Sequence, residues 1–456
     1  MGIGFPDAVV WPETAVPFLL EDAGPVLADI ALSSGAPPAA IAVVRISGPG
    51  AGAALGALAG RLPPPRRASL ATLTDPASGD LLDRTLVLWL PGPATATGED
   101  SAELHLHGGR AVVAAAEAAL GRMPGLRRAE PGEFTRRAFA NGRIDLAEAE
   151  GLADLLSAET ELQRRAAQAM ASGALSQAVS HWRTSVLAIS ARLEAALDFS
   201  DEDDVGEGGA ALPEGFAEAC ATLANDIAAW LARPRVEPLR EGFRVVLAGP
   251  PNAGKSTLFN ALVESEAAIT APEAGTTRDV LTRSVALDGV PFTFADTAGL
   301  RDDGAGEIER IGIARALAEA SNADLVLWLG PEGQGPAAAL VWEIEAQADR
   351  ADAIRKLTPV ARVSAHTGEG LPALREALVA HARTALPRPG EAALNARQHR
   401  CLSDVANALA AAPRERDPLL AAEHLRLARR ALDALVGRTG TEDMLDALFG
   451  RFCIGK

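Results

Sequence analysis

The sequence predicts a multidomain protein that joins α/β parts to an all-α part. Three observations lead there. At 456 residues the chain exceeds what one core organises, given roughly 100–200 residues per domain. Short apolar runs bounded by Gly and Pro alternate with helical patterns early in the chain and again from about residue 241. Elsewhere apolar residues recur at three- and four-residue steps, the period of a buried helix face.

Taken in order, residues 1–22 carry prolines at 6, 12 and 17 and no basic start. They do not read as a signal peptide, and residues 1–27 are set aside as an extension. Ile41 to Ile46 and Arg84 to Leu90 read as strands, closed by Ser47-Gly48-Pro49-Gly50 and Pro91-Gly92-Pro93. Ala111 to Leu120 reads as a helix after Gly108-Gly109. His105 and His107 alternate as on one strand face, a structural pattern rather than a metal site. Trp182, Val186, Ile189, Leu193 and Ala196 mark one face of a long helix. The acidic run Asp198 to Asp204, with glycines 206, 208 and 209, reads as a solvated loop between helices, with cation binding as the other reading. Helix resumes over Glu214 to Leu231, and Arg233-Pro234 to Pro238 reads as a linker. Helices return from about Leu394 to Phe449. The organisation expected is an α/β domain at 28–147, a helical domain at 148–240 and 383–456, and a domain inserted into it at 241–382.

Charge and cysteine content bound the partners. A net charge of −17 excludes a broadly basic face, so DNA is not expected and RNA contact needs a local patch or a partner protein. Cys220, Cys401 and Cys453 are an odd, scattered set without metal-ligand spacing. They imply no disulfide framework and fit a reducing cytoplasm. No apolar window approaches the ~18 residues of a membrane span.

The inserted segment carries the chemistry. The strand-like Phe243 to Ala248 runs into Gly249-Pro-Pro-Asn252-Ala253-Gly254-Lys255-Ser256-Thr257 and then an amphipathic helix. This is G-x-x-x-x-G-K-S in its strand–loop–helix setting, where backbone amides wrap phosphates at a helix N-terminus. Lys255 offers charge to the β and γ phosphates during hydrolysis, and Ser256 a hydroxyl to Mg²⁺. After the strand-like VPFTFA comes Asp296-Thr297-Ala298-Gly299, whose Asp suits the metal shell and whose Gly amide suits a γ-phosphate. Between them lies Gly275-Thr276-Thr277-Arg278-Asp279, where Thr277 can complete Mg²⁺ coordination. Guanine reading usually uses Asn-Lys-x-Asp, and no such tetrad occurs. The candidate is Ala346-Gln347-Ala348-Asp349, which keeps the carboxylate but not the Asn or the stacking Lys stem. Ser364-Ala365-His366 fits the last base-facing loop.

These features resemble the translation-factor-type GTPases, in the branch with Asn252 in the loop and Gly-Thr-Thr-Arg-Asp in the switch. The resemblance implies a K⁺ ion held by Asn252 and by the switch at Ala271, Glu273 and Thr276, within a nucleotide-lining stretch that includes Pro272, Ala274 and Gly275. It also assigns Glu309 to orienting the attacking water.

Residues 29–456 as a whole resemble the MnmE (TrmE) family of tRNA-modifying GTPases. The resemblance rests on Asp29-Ile-Ala to Val44-Arg45-Ile-Ser-Gly48, on Gly98-Glu99-Asp100 to Glu103-Leu-His-Leu-His107-Gly-Gly109, on Glu130 to Glu150, and on the ending Phe452-Cys453-Ile454-Gly455-Lys456. It implies an N-terminal α/β domain that binds a 5-formyltetrahydrofolate-type cofactor through Arg45, Glu103, Arg143 and Lys456, and that forms a constitutive homodimer. It further implies a partner, the flavoprotein MnmG, which brings FAD, uses NADH and makes a heterotetramer. Their joint product is a carboxymethylaminomethyl-type group on C5 of the wobble uridine, position 34, of certain tRNAs. A ribosome-assembly GTPase, or a folate-binding dimer with a degenerate nucleotide domain, are the other functions the motifs allow. The former usually adds a basic RNA-binding domain, which this chain lacks.

Overall fold

The computed structural model describes residues 28–32, 37–200, 212–263, 281–296, 323–338, 340–438, 445 and 448–450. The chain divides into two compact units. One comprises Met1–Leu156, Leu175–Arg183 and Arg429–Lys456; the other comprises Ser157–Ala174 and Thr184–Ala428.

The first unit is built on β1 (Ala28–Leu32), β2 (Ile41–Ser47), α1 (Ala51–Ala59), β3 (Ser69–Thr74), β4 (Leu81–Leu90), β5 (Ser101–His107), α2 (Arg110–Gly121) and β6 (Leu126–Arg128). The strands form one sheet in the order β3-β4-β5-β2-β1-β6, antiparallel except where β1 pairs with β6. Period-two alternation sorts its faces. Ala42, Val44 and Ile46 of β2 join Leu104 and Leu106 of β5 in a core with Leu55, Leu58 and Leu120 from the helices. Arg45 and Glu103 therefore lie on the other face, where β2 and β5 set them directly opposite each other. Helices α3 (Glu133–Ala140) and α4 (Leu146–Leu156) follow.

The next helices are α5 (Glu161–Ala171), α6 (Ala174–Ser200), α7 (Phe216–Leu231) and α8 (Glu237–Glu241). Thr160 and Gln163 close a capping box at the start of α5. The spacing along α6 holds: Trp182, Val186, Ile189 and Leu193 are buried, while Ala196 is half-buried. Two boundaries differ from the sequence reading. Asp198 still belongs to α6, and Asp201 to Asp204 lie outside the described residues. The linker after Arg233 ends at α8, because Pro238 sits in its first turn, where a missing N–H costs no helical bond.

The second sheet contains β7 (Phe243–Ala248), β8 (Leu281–Leu287), β9 (Val290–Asp296), β10 (Leu325–Trp328), β11 (Val341–Glu345) and β12 (Ala361–Arg362), with α9 (Lys255–Val263) and α10 (Leu371–Ala385) in the same stretch. The order is β12-β11-β10-β7-β9-β8. β7 is parallel to both of its neighbours, β10 and β9, and β8 is an antiparallel edge. Val245, Leu247, Phe292, Phe294, Leu325 and Leu327 pack with Leu258, Leu262, Leu374 and Leu378 in one core. Strands buried this way read as continuous apolar runs, which is why Phe243 to Ala248 was legible. By contrast β4 begins at Leu81, earlier than its pattern suggests, since Leu81 is exposed and breaks the alternation. The chain continues through α11 (Ala396–Ala411) and α12 (Pro418–Leu435). Asn395 caps α11 in a second capping box with Gln398.

Candidate functional site

The central position of β7 places the following loop at the carboxyl edge of the parallel strands, where open α/β sheets bind ligands. The backbone turns sharply there. Gly249, Asn252 and Gly254 take φ values of 155°, 62° and 89°. Glycine supplies two of these conformations without a steric penalty, and Asn is among the side chains that tolerate the third. A side chain at Gly254 would also come within 3.2 Å of Gln347. Helix α9 starts at once with Lys255, so the loop's amides meet the positive end of a helix.

Lys255 is 8% exposed, and its Nζ donates to the carbonyls of Gly249 and Pro250, both at 2.9 Å. Burial pulls its pKa down, opposed by the negative charge of Asp296. Asp296 is buried at the end of β9, in register with Leu247 of β7. Ser256 and Thr257 are exposed on the first turn of α9 and Ala253 is buried beneath the loop.

The candidate base-facing end is assembled from separate segments. Beyond β11, Gln347 adopts φ 54° and its Nε2 donates to the carbonyl of Asn252 at 3.1 Å. The amide of Ala348 donates to Val363 at 3.1 Å, joining this loop to the one that carries Ser364, Ala365 and His366. Asp349 is exposed, and a hydrogen bond from Ser364, with help from the nearby His366, holds its carboxyl below the usual range. Underneath, buried Glu345 accepts from Arg355 at 2.8 Å and from the Lys356 amide at 3.0 Å. The Lys356 ammonium donates to Trp328 O at 2.6 Å and to Glu343 at 2.5 Å. The structure thus brings Asn252 to Thr257, Asp296, Asp349 and Ser364 to His366 into one framework. Ala271, Pro272, Glu273, Ala274, Gly275, Thr276, Thr277, Thr297, Ala298, Gly299 and Glu309 lie outside the described residues. Sequence reasoning missed Gln347, Glu345 and Lys356 as parts of this frame. The apolar–acidic alternation of β11 was the only signal for Glu345, and no pattern marked Lys356.

In the first unit, Arg45 and Glu103 are in direct contact. Arg45 donates through Nε at 3.0 Å and Nη2 at 2.5 Å to one carboxylate oxygen, and His105 Nε2 sits 3.0 Å from the other. Burial works to raise the Glu103 pKa, but His105 and Arg45 together hold it at about 2. Arg143 lies on the same unit, its stem against Gly98, where an added side chain would meet Cγ at 3.2 Å. Asn141 donates to Thr97 O at 2.7 Å, fixing that loop. Lys456 and Cys453 lie outside the described residues. His107 pairs with Asp83 at 2.8 Å. Cys220 and Cys401 are free thiols, and burial pushes that of Cys220 up to about 11.

Two family models match the chain: the GTP-binding protein TrmE N-terminus over residues 29–143 and the MnmE helical domain over residues 146–453. A tRNA modification GTPase MnmE from Novosphingobium aromaticivorans is 75% identical over 93% of this chain and 99% of its own. Another of that name, from Erythrobacter litoralis, is 64% identical over 93% and 99%. Among solved structures, the G domain of the T. maritima FeoB iron transporter is 27% identical, with a TM-score of 0.23 over 30% of this chain and 98% of that one. Among the described residues no helix is long and apolar enough to cross a membrane.

Proposed function

The chain belongs to the MnmE family of tRNA modification GTPases, and we propose that it couples GTP hydrolysis to building a carboxymethylaminomethyl-type group on C5 of uridine 34 in certain tRNAs. The observation that carries this reading is the G-x-x-x-x-G-K-S loop on the central parallel strand, with Asp296 on the adjacent strand, in a chain that follows its relatives along nearly their whole length.

In this reading Lys255 leaves the two loop carbonyls for the β and γ phosphate oxygens. Its site suits that exchange, since it is already dry and its partners are oxygen acceptors. Ser256, exposed on the first turn of α9, would hold Mg²⁺ together with Thr277, hydroxyl oxygens being suitable donors for a hard cation. K⁺ would sit between Asn252 and the carbonyls of Ala271, Glu273 and Thr276. These ions supply positive charge where negative charge develops on the transferred phosphoryl group. Glu309 would orient the attacking water. Asp349 accepts from the guanine N1–H and 2-amino group, and the Ser364–His366 loop approaches the guanine oxygen.

The N-terminal unit takes the folate-derived one-carbon donor. Arg45, Arg143 and Lys456 suit its carboxylates, and Glu103 the hydrogen-bonding edge of its pterin. The Glu103 carboxylate is held ionised by Arg45 and His105, the state such an acceptor needs. The domains run 28–147, 148–240 with 383–456, and 241–382. The protein works as a homodimer with MnmG, which brings FAD and NADH, in the cytoplasm. Association of the two nucleotide domains is the switch, in the order–disorder manner of GTPase loops.

Nucleoside analysis of tRNA from a strain lacking this gene tests the reading. The modified wobble uridine disappears and returns on complementation; unchanged nucleosides overturn it.

A further inference from the structure

The geometry points to Gln347 as the residue that positions the base-reading loop on the phosphate loop, in place of the cation that Asn-Lys-x-Asp would put there. This inference rests on the guanine-nucleotide reading above and names a selectivity-determining side chain for that same site.

Four observations meet at Gln347. Its backbone lies in the left-handed region at φ 54°, a conformation uncommon for a residue other than Gly, Asn or Asp and one that marks functional loops when surroundings enforce it. Its Nε2 donates to the Asn252 carbonyl at 3.1 Å, across 95 residues of chain. Its Cγ and Cδ lie over Gly254, at 3.2 Å and 3.5 Å from where a side chain would begin. The next residue, Ala348, donates its amide to the Val363 carbonyl, one residue before the Ser364–His366 loop. One side chain therefore ties the loop that carries the base-reading carboxylate to the loop that cradles phosphate.

The chemistry of that tie is a neutral amide. It supplies a donor to Asn252 and a short stem over Gly254, but no charge. Asn252 itself is held at φ 62°, so the bond to its carbonyl also fixes the residue that the K⁺ reading uses. An ammonium on a longer stem can make the same hydrogen bond and cover the same glycine. Alanine can do neither. Methionine keeps the stem and loses the donor.

The test is titration of fluorescently labelled GDP and ADP, with Mg²⁺ present, into the full-length protein and three variants. Gln347→Ala is expected to bind GDP about tenfold more weakly, roughly 1.4 kcal/mol, and to narrow the GDP-to-ADP preference. Gln347→Met is expected to fall between, and Gln347→Lys to restore both affinity and preference. If Gln347→Ala and Gln347→Met both match the parent within twofold, the assignment is overturned. So it is if Gln347→Lys fails to restore what Gln347→Ala loses. A parent protein that binds GDP and ADP alike would instead sink the guanine reading beneath it. Gln347→Met keeps the comparison usable if the alanine variant does not fold.

Discussion

The two ends of the proposed nucleotide site are built in opposite ways. The phosphate end is one contiguous stretch, from Gly249 to Ser256, directly after β7, an inner strand flanked by parallel neighbours. The base end is a composite of Gln347 and Asp349 after β11 and Ser364 to His366 after β12, joined by Gln347 to Asn252 and by Ala348 to Val363. The first depends on local backbone geometry, which a few residue types dictate. The second depends on tertiary hydrogen bonds, which many residue types can supply. A missing sequence tetrad therefore says less about the base end than a missing lysine would say about the phosphate end.

That difference predicts unequal responses to substitution. The largest concerns Lys255. Lys255→Ala removes the only charge-bearing side chain of the loop and takes the ammonium donor from the Gly249 and Pro250 carbonyls. Hydrolysis should fall by about 100-fold or more, the scale on which electrostatic stabilisation of phosphoryl transfer operates. The loss should be equal for any nucleotide the protein accepts. A Lys255→Ala protein that keeps more than a tenth of parental turnover would break the contrast.

The smallest effect lies beneath the base end. Glu345 is buried and accepts from the Lys356 amide and from Arg355, which hold its carboxyl below its usual pKa. A depressed folded-state pKa gives stability that is present above the unfolded value, near pH 4.3, and is lost as pH falls through the folded value. Glu345→Gln should lower the unfolding midpoint by about 2–4 °C at pH 7. The difference from the parent should shrink as pH drops below about 4. Differential scanning at pH 7 and pH 3.5 checks this. A difference that stays constant across that range would mean the carboxylate charge is not what anchors the loop.

The legibility of the chain follows the same division. Phe243 to Ala248 matched its strand end for end, because a strand buried on both faces is an apolar run with Gly at its exit. Trp182, Val186, Ile189 and Leu193 announced α6 through spacing alone. Arg45 and Glu103 were named from the family resemblance, and the sheet register sets them opposite each other. What the sequence did not disclose was the partner of each buried charge. Lys356 looks like a surface residue in a loop-rich stretch, yet its side chain is fully buried against Glu343 and the Trp328 carbonyl. Nor did the pattern mark Gln347, since its importance lies in a bond to a residue 95 positions away. The short β12 and the exposed start of β4 were illegible for a simpler reason: neither buries enough apolar surface to leave a period.

The affinity ratio of GTP to ATP, measured for the parent and for Asp349→Asn, is the most direct test of the claim that the composite end reads guanine. A carboxylate accepts both the N1–H and the 2-amino hydrogens, whereas an amide presents a donor where one acceptor was. The parent should prefer GTP by at least about tenfold, and Asp349→Asn should erase most of that preference, since unpaired polar groups in a recognition site are costly. Equal affinity of the parent for GTP and ATP, or an Asp349→Asn protein with an unchanged ratio, would contradict the account.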